Sequence, residues 1–285
     1  MHSKKHLSFP ALRKTISKRL EQIEDPRRGK VTDALHDCFM SAFAMMFLQD
    51  PSLLQFQLRL QDGLQRNNLT NLFHVGTIPK DSQLRDLLDV ADNDPLYKLF
   101  ADSLNILQRS RYLDLFRFLD TGYLLAIDGS QYFGSEKLHC PKCLAKTSTK
   151  YSLMVKGKRT YHNSWITNMP VTDNNVTKLV KAGRARWKIE NECFNTLKNQ
   201  GYHIEHNFGH GNNNPSMTFF LLNLLAFLVH QILQLTDRLY QKCRKGFSSR
   251  IEFWNQLRCT LRVMTFNDFD HLLNKIIDPL NVRPP

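Results

Sequence analysis

The sequence predicts an α+β chain, with helices first, a few short strands in the middle and long helices at the C-terminus. Three observations predict it. The first 120 residues carry apolar residues at helical spacing and no strand-like run. At Tyr123 a short apolar run, YLLAIDGS, ends in an acid and a glycine, the pattern of a buried strand. From Ser216 a Leu- and Phe-rich stretch runs long enough for a buried helix.

Residues 11–24 have helical periodicity with a basic face of Arg13, Lys14, Lys18 and Arg19, and 25–30 (DPRRGK) form a turn. Residues 33–49 are mostly apolar and end at Asp50-Pro51, which predicts a helix. Another helix is expected over 53–65, and a third through Asp89 with Asp81 or Ser82 as its N-cap. Residues 95–109 complete the helical region. After the strand candidate at 123–130, shorter ones lie at 152–155 and 161–167. A helix is expected over about 174–198, capped by Thr172 or Asp173, then one long helix over 216–242 and a last helical stretch over about 250–277.

Charge narrows the function. The formal net charge is +13 and the charged fraction 23%. Such a surplus favours a polyanionic partner through phosphate attraction and counterion release. It is unevenly spread: residues 1–30 carry +6, residues 31–136 carry −6, and residues 142–188 carry +10 with Asp173 as their single acid. Two basic segments around an acidic, apolar one suit a binding surface. The six cysteines, with a charged start at Met1–Lys5 and no apolar leader run after it, suit reduced thiols and a cytoplasmic setting. The apolar run at 219–229 is broken by Asn223 and followed by His230, so a buried helix is expected there and no membrane partner.

Two carboxylates are candidates for chemistry. Asp128 closes the apolar strand and precedes Gly-Ser, a position suited to holding a metal ion, although such an Asp also starts turns. Glu190 lies in a helical run, RWKIENE, four residues after Arg186, with which it could form an ordinary surface pair. Cys140 and Cys143, preceded by His139 and followed at a distance by His162, have Zn²⁺-ligand chemistry; the other reading is two free thiols in a loop.

The order of these features carries more than each alone. The tract GRARWKIENE at 183–192, then NTLK at 195–198 and GYHIEHNFGHG at 201–211, closely resembles the C-terminal signature of DDE transposases of bacterial insertion sequences. LAIDGSQYF around Asp128, FLQDPSLL at 47–54 and IPKDSQLRDLLD at 78–89 resemble other parts of that family. The resemblance implies a ribonuclease H-like catalytic region over 121–285 behind a helical, DNA-binding region over 1–120. It implies two Asp and one Glu that bind Mg²⁺ for phosphoryl transfer on double-stranded DNA, at transposon ends and target, with self-association of the protein. Asp128 would be the first Asp and Glu190 the Glu, while Arg186 and Lys198 would contact phosphates. Arg184 and Lys188 extend the same basic stretch and share that expectation.

The chain departs from the family pattern at three points. Gly183 stands where the signature has Tyr. Leu197 stands where it has Lys, and Lys198 follows; in a regular α-helix that turns Lys198 about 80° away, and Glu192 remains a rival to Glu190. Between Asp128 and Glu190 stand only two acids, Glu136 and Asp173, and Asp173 reads as a cap or turn residue. An internal deletion between about residues 144 and 155 accounts for this. The expected outcome is an incomplete ribonuclease H-like core that binds DNA without assembling the two-metal site. The function expected is that of an insertion-sequence DNA transposase, defective in this copy; the alternative is a non-catalytic DNA-binding remnant that occupies transposon ends or inhibits full-length enzyme.

Overall fold

The computed structural model describes residues 5–28, 31, 33–77, 80–118, 122–126, 171–206, 208, 213 and 215–278. Helices dominate them, with one small sheet, so the chain is a helix-rich α+β protein. In chain order, α1 is Phe9–Leu20, α2 Leu35–Phe47, α3 Leu53–Arg59, α4 Gly63–Phe73, α5 Asp81–Val90 and α6 Asp94–Arg109. A 3₁₀ turn at Tyr112–Phe116 leads into β1, Arg117–Phe118, which pairs antiparallel with β2, Gly122–Tyr123. Then come α7, Val176–Ala185, a π-helical segment Ile189–Phe194, and α8, Asn195–Asn199. The last four are α9 Pro215–Thr236, α10 Arg238–Lys245, α11 Arg250–Val263 and α12 Phe269–Ile277.

Several expected helices are shorter than their apolar patterns. The one expected over 53–65 is two, because the Asp62 side chain accepts from Leu64 N–H at 2.9 Å and starts α4. The one expected over 216–242 breaks at Asp237, whose carboxylate accepts from Tyr240 N–H at 2.9 Å and caps α10. The stretch over 250–277 breaks between Val263 and Asp268, and Asp268 caps α12 by accepting from His271 N–H at 2.7 Å. For α5 the N-cap position is Lys80, not Asp81 or Ser82. Of the strand expected over 123–130, Tyr123 pairs in β2 and residues 124–126 are unpaired coil; residues 127–130, 152–155 and 161–167 lie outside the described residues.

Helices from both ends of the chain share one core. Helix α9 runs through it, packing most extensively on α2 and then on α5, α10 and α6. By length and composition α9 could cross a membrane, but 61% of its most apolar window is buried inside the protein. Each fully buried Leu or Phe there stabilises by roughly 1.5–3 kcal/mol. At the centre, Phe47 packs between Phe9, Phe73, Trp254 and His230, its ring 5.5 Å from the Trp254 ring and 4.4 Å from the imidazole.

Buried polar contacts fix how the C-terminal helices dock. Asn68 of α4 donates to the carbonyls of Leu261 and Met264, both at 2.9 Å, and accepts from Phe266 N–H at 2.8 Å. Those groups belong to the end of α11 and the turn after it, where backbone groups lack intrahelical partners. Arg258 of α11 donates to the carbonyls of Leu48 and Gln49 at 2.9 and 2.7 Å, closing the end of α2. Beside it the buried pair Arg59–Asp50 closes at 2.6 Å.

Replacing Asn68 with Ala strands two backbone groups, Met264 O and Phe266 N–H, while Leu261 O keeps its bond from Gln65 Nε2 at 2.6 Å; the cost is about 1–3 kcal/mol for each unsatisfied group. A loss on the order of 3 kcal/mol in urea unfolding is expected, against about 1 kcal/mol for Asn71→Ala, which breaks a single bond to Phe266 O. Equal losses in the two variants would contradict this docking.

Candidate nucleic-acid interface

Helix α7 has no buried residue. Lys178, Lys181 and Arg184, three residues apart, form an exposed row, while Leu179, Ala182 and Ala185, each one residue further on, form a half-buried row about 100° round the helix. The helix then tightens and loosens. Ile189 N–H bonds the carbonyl of Arg186 at 3.2 Å, an i→i+3 turn, and the π segment follows at once. Arg186, Lys188 and Glu190 are exposed along this transition. Lys188 lies 3.6 Å from Glu192, an i,i+4 pair on an open surface. Lys198, at the end of α8, is half-buried and pairs with Glu205 at 2.9 Å.

The π segment revises the register expected from sequence. Each i→i+5 turn holds roughly one residue more than an i→i+4 turn. The eight-residue step from Glu190 to Lys198 therefore sweeps about the angle that seven residues sweep in an α-helix, roughly 20° short of two turns. The 80° displacement expected for Lys198 assumed an unbroken α-helix. Leu197 is correspondingly buried, with 2% exposure, against Tyr202 and Ile204.

Anchoring comes from the loop after α8. Gly201 has φ +93°, a left-handed conformation, and a Cβ there would strike the Gln49 side chain. This turn inserts Tyr202 into the core. Its phenol hydrogen-bonds His230 Nδ1 at 2.7 Å, and its carbonyl accepts from Asn223 Nδ2 at 2.7 Å, both on α9. Burial pushes the Tyr202 phenol up and keeps it protonated. Burial first, and then the positive field of Arg250, push the His230 imidazole well down and keep it neutral. Ile204 N–H then returns to the Leu197 carbonyl at 3.2 Å, closing the loop onto α8.

The remaining sequence candidates separate into two groups. Asp128, Cys140 and Cys143, with His139, Glu136 and His162, lie outside the described residues. Asp173 is exposed in the turn before α7; the N-cap position belongs to Asn175, whose side chain accepts from Thr172 N–H at 2.8 Å, and not to Thr172 or Asp173. Among the described residues no three His, Cys, Asp or Glu side chains cluster as metal ligands. Glu190 is an exposed carboxylate on this surface, and Glu192 beside it is held toward Lys188.

Exchanging Leu197 and Lys198 restores the family spacing on paper but puts an ammonium into the apolar contact of Leu197 with Tyr202 and Ile204. A loss on the order of 3 kcal/mol is expected in urea unfolding, and an unchanged midpoint would overturn the register given above. For His230, the folded pKa is lowered while the unfolded value is about 6.5. The unfolded chain binds the proton first, so stability is full above about pH 6.5 and falls as pH drops below it, by up to ~1.4 kcal/mol per pH unit for this group. His203 and His206, also depressed by burial, act in the same direction. Unfolding followed between pH 7.5 and 5.5 should show a shallower fall for His230→Gln than for the unaltered chain, and parallel curves would remove His230 as a source.

Compared with family models, curated proteins and solved structures, the chain matches none.

Proposed function

We propose that the chain is a DNA-binding protein of the DDE transposase kind, with an incomplete ribonuclease H-like core, and that it holds DNA without cutting it. One observation carries the reading: the most basic tract of the sequence ends in an exposed helical face, and that face leads directly to Glu190. Arg184, Arg186 and Lys188 would contact successive phosphates, and Lys198 would join them once Glu205 yields to a phosphate. Glu190 would then be the carboxylate nearest the DNA. In the complete enzymes that the tract resembles, bound Mg²⁺ supplies the charge that activates the attacking oxygen and stabilises the leaving one. Here Asp128 and Glu190 are two of the three carboxylates such a site needs, and the 61 residues between them offer only Glu136 and Asp173 for the third. Such a protein would occupy transposon ends or enter mixed assemblies with full-length enzyme.

The test is binding and cleavage of duplex DNA carrying terminal inverted repeats, with and without Mg²⁺ or Mn²⁺, beside Asp128→Ala. Salt-dependent binding with a log–log slope of about −4, as four to five phosphate contacts require, and no nicking is the expected result. Metal-dependent nicking that is lost in Asp128→Ala would replace this reading with that of a working transposase. Absence of duplex binding at low salt would overturn both.

A further inference from the structure

On the side of the π segment that faces the C-terminal helices lies a cleft of about 540 Å³, within the range of roughly 300–1,000 Å³ typical of small-ligand sites. Asn195 and Gln200 line it from α8 and the residue after it, Gln231 from α9, Arg244 from α10, and Ser249 and Arg250 from the start of α11.

Three features of the cleft point to an anion. Two guanidinium groups share it, and among the described residues neither makes an ion pair with a carboxylate. Arg244 is steadied by donating to the Phe247 carbonyl at 2.9 Å, which leaves its other N–H groups for a ligand. The amide nitrogen of Gln231 is buried at the wall with no acceptor, and a buried donor of that kind calls for an acceptor atom. The remaining linings are amides and hydroxyls, apart from Glu192, which lies toward Lys188. The nearby Glu252 is already engaged: its carboxylate accepts from Ser248 N–H and Oγ at 3.0 and 2.6 Å. The first turn of α11 is thus capped from within, and any anion would be held by the guanidinium and amide groups. Burial first, then the adjacent positive charge of Arg250, lower the Arg244 pKa; a bound anion relieves that repulsion.

We propose that this cleft is an oxyanion site, in which Arg244 and Arg250 grip the oxygens of a phosphate and Gln231 donates a further hydrogen bond. The cleft stands on its own geometry. Assigning its ligand to a phosphate of the DNA backbone, as against free phosphate, rests on the DNA-binding reading above.

The test uses the full chain with inorganic phosphate and with a short duplex, in Arg244→Gln and in Asn195→Asp. The second variant keeps the shape of an exposed side chain and adds a negative charge at the rim. Phosphate should raise the melting temperature saturably beyond chloride at equal ionic strength, and both variants should weaken that binding at least tenfold. Both should also weaken duplex binding severalfold and flatten its salt slope by about 1. Equal effects of phosphate and chloride, or phosphate binding unchanged in both variants, would overturn the site. Phosphate binding lost in both variants with duplex binding unchanged would keep the site and remove its assignment to the DNA backbone. Saturable phosphate binding without any duplex binding would keep the site and remove the DNA-binding reading instead.

Discussion

The insertion of Tyr202 between α8 and α9 is the contact on which the candidate interface depends. Everything from Val176 to Asn199 is largely exposed until Thr196 and Leu197, so this stretch contributes little to its own stability. It is positioned because Tyr202 ties it down at both ends of the residue: the phenol to His230 and the carbonyl to Asn223. Gly201 makes the turn that allows this, and Gln49 on the far side leaves no room for a side chain there. The polar groups are buried, so each bond holds position as well as energy: a lost partner would leave an unsatisfied group in a dry site.

That anchor works only because α9 is itself immobilised. His230 is wedged between Phe47 and Trp254, with ring centroids 4.4 and 4.3 Å away, so the hydrogen-bond partner of Tyr202 cannot rotate freely. Trp254 belongs to α11, which α4 holds through Asn68 and α2 holds through Arg258. A chain of packed and hydrogen-bonded groups therefore runs from the N-terminal helices to the loop that fixes α8. The same arrangement brings Arg244, Arg250 and Gln231 under the π segment, although they stand far from it in sequence.

Apolar periodicity made the helical body legible: α2, α6 and the existence of α9 follow from it closely. Its boundaries were less legible. Apolar continuity across 53–65 and 216–242 outweighed the acids at Asp62 and Asp237, yet both acids cap helices through their side chains. The signal was present in an N-cap residue inside a hydrophobic run, where its backbone bond competes with helix continuation. The basic residues from Arg184 to Lys198 were visible as a run of charge, but the cleft was not, since its walls come from four separated helices. In sequence Tyr202 stands in the GYHIEHNFGHG tract and His230 just after the apolar run at 219–229; their partnership exists only after folding.

The π segment shows why spacing on a helix has meaning only with its hydrogen-bond pattern. Counted in residues, Lys198 lies one position too far from Glu190 to share its face. A helix that accommodated the extra residue as α would have to bury the Lys198 ammonium or expose Leu197, each at a cost of several kcal/mol. Widening one turn to i→i+5 needs only poorer backbone geometry over Ile189–Phe194, in a stretch where no side chain is fully buried. The weaker structure therefore yields, and the register from Leu197 onward stays with the core. Position on the surface follows from which side chain the core refuses to release, and here that side chain is Leu197.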